Sequence, residues 1–181
     1  MIKETPYYYY GTEMKGEGVL RSTRTLGDLN GIFADAEAYG KMDKDTVAYR
    51  VASIEPDPQG TVGGLYMGIT YLNPGKVGRE YFMTKGHFHL NPLSTEFYWT
   101  LEGEGMLILM DEGRNVRAEK MFPGSLHYIR PGIAHRVANT GDKTLIFGAS
   151  WPSDAGHDYA SIARDGFARR LMEVNGKPEL V

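Results

Sequence analysis

Residues 86–99 read GHFHLNPLSTEFYW and residues 131–139 read PGIAHRVAN. In an extended segment alternate side chains share a face, so His87 and His89 converge while Phe88 turns the other way. Glu96 follows a loop carrying Asn91, Pro92 and Leu93 and opens the next strand-like run; His135 enters another. Two idle strand histidines would look the same as His87 and His89 alone. Glu96 and His135, each in a strand context, turn the balance toward a metal site. Three imidazoles and one carboxylate suit a borderline divalent ion such as Fe²⁺, Mn²⁺, Co²⁺ or Ni²⁺. Four protein ligands leave two octahedral positions open, which is the mark of a catalytic site, since structural sites are closed. His127 and His157 lack partners at ligand spacing, and His127, between Leu126 and Tyr128, reads as a strand residue without a chemical role.

Outward from these two stretches the chain is built of short apolar runs. They are Val47–Ile54, Leu65–Leu72, Phe97–Leu101, Met106–Met110, Leu126–Ile129 and Thr144–Ser150, several alternating in polarity as half-buried strands do. Turn signals separate them: Asn73-Pro74-Gly75, Asp111-Glu112-Gly113, Pro123-Gly124, Pro131-Gly132 and Thr140-Gly141-Asp142. Many short strands at this spacing predict an all-β sandwich or barrel. Short helices are expected at Ala34–Lys41 and from Asp158 to Arg164, the second ended by Gly166 in a positive-φ conformation. Ala168–Val174, Asn175-Gly176 and Lys177–Val181 read as a closing hairpin, because Asn-Gly suits a type I′ turn. Tyr7 to Tyr10 are four consecutive tyrosines, expected as an aromatic strand packed on the core, the alternative being a partner surface.

Composition narrows the function classes. The 181 residues fit one domain, 41% hydrophobic content supports a packed core, and a net charge of −3 without a basic cluster argues against nucleic acid as a partner. The chain has no cysteine, which removes disulfides and thiol catalysis. No apolar run reaches the roughly 20 residues of a membrane span, and the first residues lack the apolar stretch of a secretory signal. A soluble, cytoplasmic protein with no membrane partner is expected.

The two quoted stretches resemble the paired motifs of the cupin superfamily: His87, His89, Glu96 and Gly103, then Pro131, Gly132, His135 and Asn139. Six residues separate His89 from Glu96, more than in an ordinary cupin, and Tyr81 stands where a glycine is usual. Both departures fit one branch, the cupin-type phosphoglucose isomerases of archaea and some bacteria. Pro74-Gly75-Lys76-Val77-Gly78 with Glu80, Thr84-Lys85-Gly86-His87-Phe88-His89, and Pro152 with Asp154-Ala155-Gly156-His157-Asp158-Tyr159, Ile162 and Gly166-Phe167 carry this resemblance over residues 45–170. It implies a jelly-roll-like cupin β-barrel with one or two short peripheral helices. The chain would be a single cupin domain, with N-terminal strands and an extension over 1–45, the barrel core over 46–152, and a helix and hairpin over 153–181.

The same resemblance implies an aldose–ketose isomerase that interconverts glucose 6-phosphate and fructose 6-phosphate through a cis-enediol, in glycolysis and gluconeogenesis, as a homodimer. Its metal ligands would be His87, His89, Glu96 and His135, holding one divalent ion per subunit, Fe²⁺ first, with Mn²⁺, Ni²⁺, Co²⁺ or Zn²⁺ as other candidates. Tyr49, Thr70, Thr84, Gly86, His157 and Tyr159 would contact the substrate phosphate, and Tyr98 would line the sugar site. The reaction moves a proton between C2 and C1, for which Glu96 is the first candidate carrier and Tyr98 and His135 are further participants. Lys85 could add charge to the phosphate pocket, although strict alternation would turn it away. Two other readings are open on the residues alone: another three-His, one-Glu cupin enzyme such as a dioxygenase, and a non-catalytic sugar-binding cupin.

Overall fold

The computed structural model describes residues 2, 3 and 5–181. Its strands, in chain order, are β1 (Tyr7–Tyr10), β2 (Glu13–Gly16), β3 (Leu20–Thr25), β4 (Val47–Ile54), β5 (Leu65–Leu72), β6 (Lys76–Val77), β7 (Glu80–Tyr81) and β8 (Glu96–Glu102). There follow β9 (Gly105–Met110), β10 (Val116–Met121), β11 (Leu126–Ile129), β12 (Ala134–Asn139), β13 (Leu145–Pro152), β14 (Leu171–Val174) and β15 (Lys177–Leu180). Two α-helices join them, α1 (Ala36–Lys41) and α2 (Tyr159–Asp165).

A six-stranded antiparallel sheet, ordered β11-β8-β13-β5-β4-β3, faces a three-stranded sheet ordered β10-β9-β12. Leu72 and Phe147 from the first sheet and Leu107, Leu109 and Val137 from the second are at most 2% exposed and belong to one cluster. This is the jelly-roll-like sandwich that the cupin resemblance implies, with two facing sheets and no continuous ring of paired strands among the described residues. A smaller sheet, β15-β14-β7-β6, carries the C-terminal hairpin. Asn175 (φ 51°) and Gly176 (φ 74°) both take the positive φ that a type I′ turn requires. The strand before that turn begins at Leu171, three residues later than the sequence suggests.

Both expected helices are present and both are capped by aspartate. The Asp35 carboxylate accepts from the Ala38 N–H at 2.8 Å, and Asp158 accepts from the Ser161 N–H at 3.0 Å, each satisfying a donor the helix itself leaves free. Gly166 closes α2 with φ 63°.

The tyrosine run forms a strand but does not pack on the core: Tyr8 is 55% exposed and Tyr10 77%. The reason is its partner. Among the described residues β1 pairs only with β2, and this two-stranded ribbon sends Met14 alone fully into a small cluster with Ala52, Ile54, Ile69 and Ile146, with Tyr7 half-buried beside it.

Asn139, the last residue of the second motif, has a structural role. Its Nδ2 donates to the carbonyls of Leu72 and Lys143, each at 2.8 Å, and its Oδ1 accepts from the Gly141 N–H at 3.0 Å. It therefore ties β12 to β5 and holds the turn into β13. Asn139→Ala leaves these buried groups without partners and is expected to cost about 2–3 kcal/mol, read as a lower denaturant midpoint at unchanged slope.

Candidate metal centre

His87 and His89 sit in an irregular segment, not in a regular strand. A single antiparallel bridge joins His87 to His135 on β12: the His87 N–H donates to the His135 carbonyl at 3.2 Å and the His135 N–H to the His87 carbonyl at 3.0 Å. Phe88 then bridges to Asp158, just before α2, so adjacent residues of the segment bind opposite neighbours. Their side chains diverge accordingly, as the sequence suggests. Between His89 and Glu96 the chain turns back on Asn91, whose Oδ1 accepts from the Leu93 N–H at 3.1 Å and whose carbonyl accepts from the Ser94 N–H at 3.1 Å. That local turn explains the long spacing: it returns the chain so that Glu96 is the first residue of β8, opposite Ile129.

One ligand atom from each of His87, His89, Glu96 and His135 lies within 4.8 Å of all the others. The Glu96 Oε2 is 3.0 Å from His135 Nε2 and 3.2 Å from His89 Nε2. His89 Nδ1 faces the Ser94 carbonyl at 3.3 Å and His135 Nδ1 the Ile133 carbonyl at 3.1 Å. A carbonyl can only accept, so each Nδ1 carries a proton, and the neutral ring then has its lone pair on Nε2, the tautomer that can ligate an ion. The Nε2 atoms of His87 and His135 are buried without a hydrogen-bond partner; at His135 the approach to Glu96 is close but is not aligned as a hydrogen bond. Buried polar atoms are almost always satisfied. Four donor atoms that converge while two remain unpaired fit a divalent ion at their centre.

The electrostatics agree. Burial, with the nearby His135, His157 and His89, holds His87 well below the usual imidazole range and hence neutral, the form that binds metal. Burial alone would raise the Glu96 carboxyl; hydrogen bonds donated to it by His135 and His89 outweigh burial and lower its pKa, and an ion ligated by their Nε2 atoms in place of a proton would act in the same direction. Tyr98 moves the other way: burial, reinforced by the Glu96 charge, holds its phenol well above the usual range, so it remains a hydroxyl donor.

The cluster opens into a cavity of about 230 Å³. One face of the six-stranded sheet lines it, and the period-two rule shows in five of its strands: Ser22 and Arg24 on β3, Tyr49, Val51 and Ser53 on β4, Gly68 and Thr70 on β5, Glu96 and Tyr98 on β8, and Phe147, Ala149 and Trp151 on β13. Thr84, Lys85, Gly86, His157 and Tyr159 complete the wall. All six residues that the resemblance gives to a phosphate therefore line the same cavity as His87, Glu96 and His135. Thr84 Oγ1 accepts from the Val137 N–H at 3.0 Å, leaving its own hydrogen to donate. His157 and Tyr159 stack with ring centroids 5.6 Å apart and planes within 9°.

The expected outward turn of Lys85 is not found. Lys85 lines the cavity, and its Nζ lies 5.2 Å from the centre of the Tyr159 ring. Gly86 is the cause: its φ of 77° breaks the alternation, and a Cβ there would be strained by that φ and crowd the side chains of Arg136 and Phe167 at 3.0 Å. Arg24, Ser53, Glu55 and Trp151 are lining residues the sequence reading passed over. For Ser53 the missed signal is phase, since it stands two residues from Val51 and four from Tyr49 on its strand. Arg24 and Lys85 give the cavity a cationic end.

The sequence profile of the family described as glucose-6-phosphate isomerase (GPI) matches residues 23–179. The chain belongs to that family. It is 45% identical over 163 residues to the glucose-6-phosphate isomerase of Thermococcus litoralis, covering 89% of this chain and 85% of the relative. Identity to the glucose-6-phosphate isomerase of Pyrococcus furiosus is 40% over 167 residues, with 91% and 87% covered. A protein named putative glucose-6-phosphate isomerase 2, from Rhizobium meliloti, is 36% identical over 159 residues, with 86% and 78% covered. Among solved structures, an oxalate oxidase superposes with a TM-score of 0.52 at 17% identity, covering 64% of this chain and 56% of its own, which bears on the fold alone.

A second polar cluster, outside this cavity, has the outline of a hydrolytic triad. His127 Nδ1 lies 2.9 Å from Glu119 Oε2 and His127 Nε2 lies 2.9 Å from Ser125 Oγ. The serine oxygen is already engaged by the Phe122 N–H at 3.1 Å and by Thr100 Oγ1 at 3.0 Å, and the residue is buried. The cluster is a packed polar core, and His127 lies on a strand, β11, as expected.

Proposed function

We propose that this chain is a metal-dependent aldose–ketose isomerase that interconverts glucose 6-phosphate and fructose 6-phosphate through a cis-enediol. One observation carries the reading: a single cavity joins the His87, His89, Glu96 and His135 cluster to a cationic, hydroxyl-rich end formed by Arg24, Lys85, Thr84, Tyr49 and Tyr159. A phosphorylated sugar has the matching polarity, with its phosphate at one end and its reacting carbonyl at the other. The oxygen-activating and non-catalytic readings give no reason for that second end.

A divalent ion in the cluster would supply Lewis-acid polarisation of the sugar oxygens. The chain's own residues do the rest. Both histidine contacts of Glu96 fall on Oε2, so Oε1 is the oxygen we assign to proton transfer between C2 and C1. Tyr98, held as a neutral phenol, donates to a sugar oxygen, and His135 is kept in its ligating tautomer by the Ile133 carbonyl. Tyr49, whose phenol burial pushes up to about 12, stays protonated and donates to the phosphate, together with Thr84, Tyr159, Thr70, His157 and the Gly86 N–H.

The first test is a coupled assay from fructose 6-phosphate on chelated protein and after return of Fe²⁺, Mn²⁺, Ni²⁺ or Zn²⁺. Activity that disappears on chelation and returns with metal supports the reading; Fe²⁺ is the ion we expect to restore most. Persistent inactivity of protein with a bound ion overturns it. Tyr159→Phe removes one donor to a dianion and is expected to raise KM roughly 10- to 100-fold at near-constant kcat. The same KM as the parent would remove Tyr159 from the phosphate site.

Further features fall within this proposal. The chain acts as one domain in glycolysis and gluconeogenesis, in the cytoplasm, and works as a homodimer with the exposed tyrosines of β1 at its contact surface. Light scattering on the chain and on Tyr8→Ser/Tyr10→Ser checks the last point, and a parent of monomer mass contradicts it.

A further inference from the structure

His135 and Arg136 are neighbours on β12 and point to opposite faces of that strand, both of which are buried. His135 enters the catalytic cavity. Arg136 enters a second cavity of about 190 Å³ on the other side, walled by Gly31, Ile32, α2, Gly166, Phe167 and Arg170. The residue is 6% exposed. Its guanidinium lies against the Phe167 ring, 4.0 Å from the ring centre, and its Nη1 meets only the Met83 sulfur at 3.1 Å. Its Nε is buried without a partner, and no carboxylate among the described residues pairs with it.

A fully desolvated guanidinium without a counter-ion is costly, and native proteins rarely leave one so. The rest of the wall does not supply the missing charge. Arg164 and Arg170 also line this cavity, and the single lining carboxylate, Asp165, is already held by Arg164 at 2.8 Å. Arg170 donates to Glu80 at 2.9 Å and to the Ile32 carbonyl at 2.8 Å, which fixes its direction. Three arginines from separate segments therefore converge on one space, against Asp165 in its wall and Glu80 behind Arg170, and both carboxylates are already engaged by arginines other than Arg136. The planar fork of an arginine suits a tetrahedral or planar oxyanion better than any other small ligand.

We propose that this second cavity is a binding site for a small oxyanion, inorganic phosphate or a phosphoryl group of similar size, with Arg136 as its buried anchor and Arg164 and Arg170 at its mouth. It is separate from the phosphate end of the catalytic cavity, which lies across β12 and is lined by none of these three residues.

The test is calorimetric titration of inorganic phosphate into the metal-loaded protein, comparing the parent with Arg136→Met and Arg164→Glu. Because phosphate should also enter the catalytic cavity, the parent is expected to show two sites per chain. Arg136→Met should show one. Arg164→Glu, at an exposed position away from the catalytic residues, should weaken the second site at least tenfold while turnover stays at the parental value. Isotherms for both variants that match the parent would overturn the proposal. A parent with a single site that both variants retain would do the same, as would Arg136→Met converting a dimer to monomers with phosphate binding unchanged. Should Arg136→Met fail to fold, an unaltered isotherm for Arg164→Glu is sufficient to reject the site. Titrating pyrophosphate in parallel separates a free phosphate from the end of a larger ligand: a tenfold preference for pyrophosphate in the parent, absent from Arg164→Glu, assigns the site to a phosphoryl group on a longer molecule.

Discussion

Glu96→Gln is expected to yield a folded protein whose turnover falls by roughly 10²- to 10⁴-fold, the usual contribution of a positioned proton carrier. The substitution keeps the shape of the side chain and removes its charge. Two losses then coincide. The cluster of His87, His89 and His135 keeps its three imidazoles but loses its only anion, so metal affinity should fall with activity. The amide also places a donor where Oε2 now faces two Nε2 lone pairs at 3.0 and 3.2 Å, or else presents its oxygen there and its NH₂ to the sugar. Either orientation leaves no base toward C2. Measuring kcat beside metal content separates the roles. If bound metal is retained and turnover falls, Glu96 acts chiefly as proton carrier; if both fall and excess metal restores part of the rate, its ligand role dominates. Turnover that survives with metal retained would rule out both.

Phe147→Ala should be the most damaging of the simple core truncations beside the site, at about 3–5 kcal/mol. Phe147 is 2% exposed, sits on β13 between Thr70 of β5 and Thr100 of β8, and packs on Tyr98 with ring centroids 5.2 Å apart. For a chain of this length that loss lowers Tm by roughly 6–20 °C. It also frees the Tyr98 ring, so kcat should drop at temperatures where the protein is still folded. Phe147→Leu recovers most of the volume but not the aromatic contact. It is expected to regain most of the Tm and less of the kcat, and a full recovery of both would show that the ring contact does not position Tyr98.

The strands that hold the site were legible because their polarity alternates and glycine or proline turns punctuate them. Val47–Ile54 and Leu65–Leu72 were read with the bounds the structure gives. Leu20–Thr25 was not read, because it is an edge strand whose residues are nearly all exposed and polar, so it carries no hydrophobic period. Arg24 was missed with it. Among the four clustered residues, His87 and His89 are legible from spacing alone, whereas Glu96 and His135 are legible from the strand-like runs they open. Spacing erred at Lys85, because one glycine with positive φ shifts the phase of the residues around it. The tyrosine run misled for another reason: aromatic content predicts burial only where a second layer exists to cover it, and β1 has only β2.

The bridge between His87 and His135, with Glu96 on β8, has a mechanical consequence. His135 belongs to the three-stranded sheet and Glu96 to the six-stranded one, so an ion bound by both is a rivet through the two leaves of the sandwich. A ligand at a thousand times its dissociation constant stabilises the fold by about 4 kcal/mol, and here that free energy acts across the seam where the leaves would part. The chelated chain should therefore open first between β8 and β12, seen as faster amide exchange in those strands than in β4 and β5. Heat resistance and chemistry would then be set by the same four side chains, and a change of ion would tune both at once.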